Sequence, residues 1–134
     1  SPPDWDTFFS RHALSTAKDA FDRLAKGPRA RTDRLIRKCK DGRECDIYVA
    51  ILRAIAMTGP ALTISYEQIR SQLRELLVPS DVPESSQITN TLSKMSEIAK
   101  QIPGEPVLDW DEELSTLHVS DPYFAYYLRW GVRQ

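Results

Sequence analysis

The chain has 134 residues, 41% hydrophobic and 28% charged, with a formal net charge of −1, values that suit one globular domain able to bury a sizeable core. It has no run of about 18 apolar residues that would make an α-helical membrane span, and Ser1-Pro2-Pro3-Asp4-Trp5 lacks the basic and apolar regions of a secretory signal. These features predict a cytoplasmic protein with no membrane partner, and the absence of an initiating Met reads as a piece of something longer.

Residues 4–26 read as a helix with Phe8, Phe9, Leu14, Phe21 and Leu24 as its candidate buried positions, stopped by Gly27-Pro28. A second helix is expected from about Pro28 to Lys40, turning Leu35 and Ile36 inward and its arginines outward, before a turn at Asp41-Gly42. Cys39 and Cys45 are spaced neither as a CxxC redox pair nor as half of a zinc set, and both are expected to be reduced thiols. His12 and His118 are too far apart in sequence to suggest a local metal site. Residues 1–43 thus form an N-terminal helical extension, and residues 44–134 a second unit.

In that unit Ile47, Ile51, Leu52 and Ile55 recur at helical spacing until Thr58-Gly59-Pro60. Ser65 and Gln68 then fit the S-x-x-Q capping box of a helix carrying Ile69, Leu73, Leu76 and Leu77. After the loop from Val78 to Pro83, a further helix starts near Glu84-Ser85 and buries Ile88, Leu92, Met95 and Ile98. Two strands follow, Pro106 to Trp110 and Leu114 to Val119, around a hairpin tip at Asp111-Glu112-Glu113. Asp121 is placed to cap a last helix, and Pro122 suits its first position. The expected fold is mainly α with a small β-hairpin, a winged helix-turn-helix with an N-terminal helical extension.

Over residues 44–134 the chain resembles the winged-helix domains C-terminal to the nucleotide-binding core of AAA+ and STAND-type ATPases. The carriers are Ile51-Leu52-Arg53-Ala54-Ile55-Ala56, Ile64-Ser65-Tyr66-Glu67-Gln68-Ile69, Ser86-Gln87-Ile88-Thr89-Asn90-Thr91-Leu92 and Asp121-Pro122-Tyr123-Phe124-Ala125-Tyr126-Tyr127. The resemblance implies a non-catalytic module that packs on an ATPase core, relays its nucleotide state, or contacts protein or nucleic acid. The five glycines never form GxxxxGK[ST], so this chain carries no phosphate cradle of its own, and no cofactor is expected.

Neither cysteine has a local histidine partner and no serine lies in a GxSxG elbow, so catalysis within this chain is not expected. Charge bears on the partner. Between Arg23 and Arg43 nine basic residues face two acidic ones, whereas from Asp81 to Asp121 two lysines face nine acids. That acidic balance on the third helix and wing opposes duplex docking, because phosphate contact supplies most non-specific affinity. Protein contact is therefore the leading expectation, through Trp110, Asp111, Glu112 and Glu113 at the wing, or Tyr123, Tyr127 and Trp130 on the last helix. The alternative is nucleic-acid binding by Arg29, Arg31, Arg34, Arg37, Lys38, Lys40 and Arg43, with Gln87, Asn90 and Lys94 contributing from the third helix.

Overall fold

The computed structural model describes residues 5–30, 35–59 and 62–130, with the backbone alone for 5–10. Its helices are α1 (Trp5–Lys26), α2 (Ile47–Met57), α3 (Tyr66–Leu76), α4 (Ser85–Gln101) and α5 (Pro122–Trp130). Its strands are β1 (Arg37–Lys38), β2 (Glu44–Cys45), β3 (Thr63–Ser65), β4 (Leu108–Asp111) and β5 (Thr116–Val119). Phe8, Phe9, Arg31 and Arg34, for which the sequence predicts roles, lie outside the described side chains.

Local chemistry sets the helix starts. The Asp46 carboxylate accepts the Val49 N–H at 3.1 Å, opening α2. Ser65 and Gln68 form the reciprocal capping box that the sequence predicts, with both bonds at 3.1 Å or less. At α4 the Gln87 side chain reaches back to accept the Glu84 N–H at 2.8 Å. α1 stops at Gly27, whose φ of +73° leaves the helix; a Cβ there would sit 3.2 Å from the Tyr48 ring.

The order α2, β3, α3, α4, β4, β5 is the connectivity of a winged helix, with β4 and β5 as the wing. β5 is the middle strand of an antiparallel sheet ordered β3-β5-β4, pairing Ile64 with Leu117 on one side and Trp110 with Leu117 on the other. Leu108, Trp110, Leu117 and Val119 point into the core while their neighbours along each strand are more exposed, the alternation expected of a sheet covered on one side. The wing turn lies one residue later than the sequence suggests: Asp111 ends β4, and its carboxylate accepts the Leu114 N–H at 3.1 Å, leaving Glu112 to Ser115 as the turn.

Among the described residues of the expected helix from Pro28 to Lys40, that is 28–30 and 35–40, none is helical. Instead Arg37 and Lys38 pair antiparallel with Cys45 and Glu44 in a short hairpin turned at Asp41-Gly42. The outer edge of β1 meets the connector between α3 and α4, where Lys40 N–H donates to Leu76 O at 2.9 Å and Val78 N–H donates to Lys38 O at 3.0 Å. Main-chain pairing on both edges has overridden the modest helical preference of an Arg- and Lys-rich segment. The inward and outward assignments reverse with it. Leu35 and Ile36 are 62% and 56% exposed, whereas Arg37 is only 2% exposed.

One buried cluster unites Ala17, Ala20 and Leu24 of α1 with Ile51, Leu52 and Ile55 of α2, Leu92 and Met95 of α4, and Phe124 and Leu128 of α5. α2 is buried over most of its circumference, with Ala50 and Ala54 letting neighbouring helices approach closely. Among the described residues no helix is long and apolar enough to cross a membrane.

Burial separates two isoleucines that look alike in sequence. Ile51→Ala is expected to cost about 2–5 kcal/mol in chemical denaturation through lost transfer energy and a residual cavity. Ile36→Ala should stay within about 0.5 kcal/mol, as expected for an exposed side chain. Comparable losses at the two positions would contradict the hairpin placement of residues 35–39.

Candidate interaction surfaces

α5 has two unlike faces. Phe124 and Leu128 enter the core, and Tyr127 is half-buried with its ring centroid 5.6 Å from that of Phe21 on α1. Tyr123, Tyr126 and Trp130, spaced three and four apart, are 45%, 53% and 51% exposed. Residues at that spacing share a helix face, so the three rings form one stripe. The Tyr126 and Trp130 centroids are 6.5 Å apart, and the Arg129 guanidinium lies 5.2 Å from the Trp130 ring centroid. Of the aromatics expected to meet a partner, Tyr123 and Trp130 are on the open side, whereas Tyr127 is committed to α1. Tyr126, which sequence reasoning passed over, takes its place. The i, i+3, i+7 spacing from Tyr123 carries that signal once Phe124 is known to face inward.

The wing is divided in the same way. Trp110 is 7% exposed, so its ring fills the space beneath the wing rather than presenting an anchor. Its backbone N–H donates to Ser96 Oγ at 2.6 Å, joining β4 to α4, while its indole Nε1 meets no acceptor among the described residues. Glu112 and Glu113 are exposed at the turn, with Leu114 beside them at 70% exposure. Lys100 approaches Asp109 at 4.0 Å and Lys94 approaches Glu97 at 3.5 Å, so the two lysines of this acidic region are each near a carboxylate.

Among the described residues the basic candidates do not form one helical face. Arg37 is buried, which removes it from any phosphate-binding surface. Arg43 is bonded to Asp41 at 2.7 Å, and that pair, led by the Arg43 backbone N–H, holds the Asp41 carboxyl below its usual range. The Lys38 backbone N–H donates to Asp81 Oδ2 at 2.7 Å, and Lys38 and Lys40 are exposed on the hairpin. Arg29 stands apart from these, in a cleft whose other wall is α4. Its neighbours there are Lys94, Glu97 and the end of α1, with Gln87 and Asn90 further along the same helix. Arg29, Gln87, Asn90 and Lys94 are therefore brought together, and Lys38, Lys40 and Arg43 are not.

Cys39 and Cys45 face each other across the hairpin with their sulfurs 3.7 Å apart, both buried and neither in a disulfide. Burial first, and Cys39 second, push the Cys45 thiol up to about 12. Among the described residues no three His, Cys, Asp or Glu side chains are placed to hold a metal ion. Set against protein-family models, curated proteins and solved structures, the chain matches none of them.

The buried thiol gives a pH dependence with a definite sign. A thiol pKa raised by folding means that the native state holds the proton more tightly than the unfolded chain. The Cys45 contribution is thus complete below the unfolded value near 9 and disappears as pH rises toward 12. Unfolding midpoints should fall across that window, and Cys45→Ala should flatten the fall. Native protein at pH 8 should also resist iodoacetamide, with alkylation becoming rapid in denaturant; equal rates in both would refute the buried placement.

Proposed function

We propose that this chain is a non-catalytic winged-helix module of a larger, ATPase-type protein, and that it works by protein contact through α5. The observation that carries the reading is the aromatic stripe of Tyr123, Tyr126 and Trp130. Large rings left half in water on a helix whose other face is locked into the core are the kind of anchors on which protein interfaces concentrate their energy. Phe124 and Leu128 hold α5 against α1 and α2, so the stripe is presented on a rigid element and loses little freedom on binding. The partner surface proposed is the nucleotide-binding core of the same protein, in keeping with the resemblance in residues 44–134. The acidic wing turn, Glu112 and Glu113, lies on a separate element and is assigned to orienting that contact by charge rather than to its affinity.

The stripe is separable from stability, which makes the reading testable. Tyr126→Ala with Trp130→Ala should leave the thermal midpoint of the 134-residue chain within a few degrees of the parent. The same pair should weaken its association with the separately expressed remainder of the reading frame by at least 100-fold in isothermal titration. Unchanged association would sink the α5 assignment, and a reading frame without a nucleotide-binding motif would sink the ATPase assignment.

A further inference from the structure

We infer that the cleft between α4 and the end of α1 is a binding site for single-stranded nucleic acid. It is a different surface from the α5 stripe and does not depend on that reading. Two depressions of about 650 and 760 Å³ share Pro28, Lys94 and Glu97 in their walls, so they run together along α4. From Gln87 to Gln101 the helix offers roughly 21 Å of floor.

The chemistry of the walls is that of a strand-binding groove. Among the described residues, Arg23, Lys26 and Arg29 line one side and Lys94 the other, where Glu97 is the carboxylate present, 3.5 Å from Lys94. Gln87, Asn90 and Ser93 add amide and hydroxyl groups able to bond base edges, and Leu35, 62% exposed, with the half-buried Pro28 supplies apolar surface for bases. Cations along a groove with apolar platforms beside them fit a phosphate backbone with unstacked bases.

Geometry selects one strand over two. An α-helix with its side chains is about 10–12 Å across, and the major groove of a duplex is about 12 Å wide, so a helix that reads duplex must stand clear of its surroundings. Here α4 is the floor of a cleft, and the α1 end and Gly27 to Ala30 rise along it as a rim. Duplex walls would meet that rim, whereas a single strand is narrow enough to lie inside it.

The test is fluorescence anisotropy of the 134-residue chain with a labelled 12-nucleotide oligothymidylate and with a duplex of equal length, from 50 to 200 mM salt. The two arginines Arg23 and Arg29 imply a slope of log K against log salt of about −1.4 for single strands, or roughly a 7-fold loss across that range. Arg23 and Arg29 are both exposed, so Arg23→Glu with Arg29→Glu should abolish binding without lowering the thermal midpoint, while Glu112→Lys should not reproduce that loss. Duplex binding as tight as single-strand binding, affinity unchanged in the Arg23→Glu, Arg29→Glu variant, or no binding at 50 mM salt would each overturn the inference. Equal competition by polyglutamate would also overturn it, and would point to an acidic protein as the occupant.

Discussion

Every other helix of the described fold packs against α2, and that burial is the constraint from which the remaining geometry follows. Ile47, Ala50, Ile51, Leu52, Ala54 and Ile55 are enclosed by α1, α3, α4 and α5, so the helix is apolar over far more than a single stripe. Its alanines matter as much as its isoleucines, because a small residue lets a crossing helix approach and a large one would hold it off. With α2 enclosed, α3 and α4 take the positions of a helix-turn-helix, and α5 is left to lie across the gap between α1 and α2. Burying each isoleucine contributes about 1.5–3 kcal/mol, against a total stability typically of only about 5–15 kcal/mol. The centre therefore dominates, and the surfaces are free to vary.

That freedom shows in how charge and aromatic surface are arranged. Arg23, Lys26 and Arg29 line the cleft against α4, which contributes Lys94 and Glu97, while Glu112 and Glu113 are exposed on the wing turn. An α4 that forms the floor of a cleft is a poor instrument for a duplex and a better one for a narrow ligand. The exposed rings sit on α5, so the apolar and the cationic surfaces are held by different elements.

Much of the architecture was legible before any coordinates, and the reason is periodicity. Ile88, Leu92, Met95 and Ile98 all face inward, the capping box at Ser65 and Gln68 forms, and Asp121 accepts the Tyr123 N–H at 2.9 Å at the start of α5. These signals are local, so sequence carries them. The segment after Gly27 was not legible, because what decides its conformation is β2 and the Leu76–Val78 main chain, the latter some forty residues away. The same non-locality explains Arg37, an arginine read as solvent-facing that strand pairing turns inward. On the surfaces, aromatic content is visible in the sequence, but which ring of α5 faces outward depends on where α1 lies, so the sequence alone does not separate Tyr127 from Tyr126.

The short pairing between Lys38–Lys40 and Leu76–Val78 also has a mechanical meaning. Its hydrogen bonds run from main chain to main chain, and the Lys38 N–H bond to Asp81 continues the line toward the start of α4. Side-chain contacts would let the N-terminal segment slide while rotamers absorbed the motion. Backbone bonds of this kind resist sliding and yield only by breaking together. The β1–β2 hairpin is thereby held in fixed register with the chain that leads from α3 into α4.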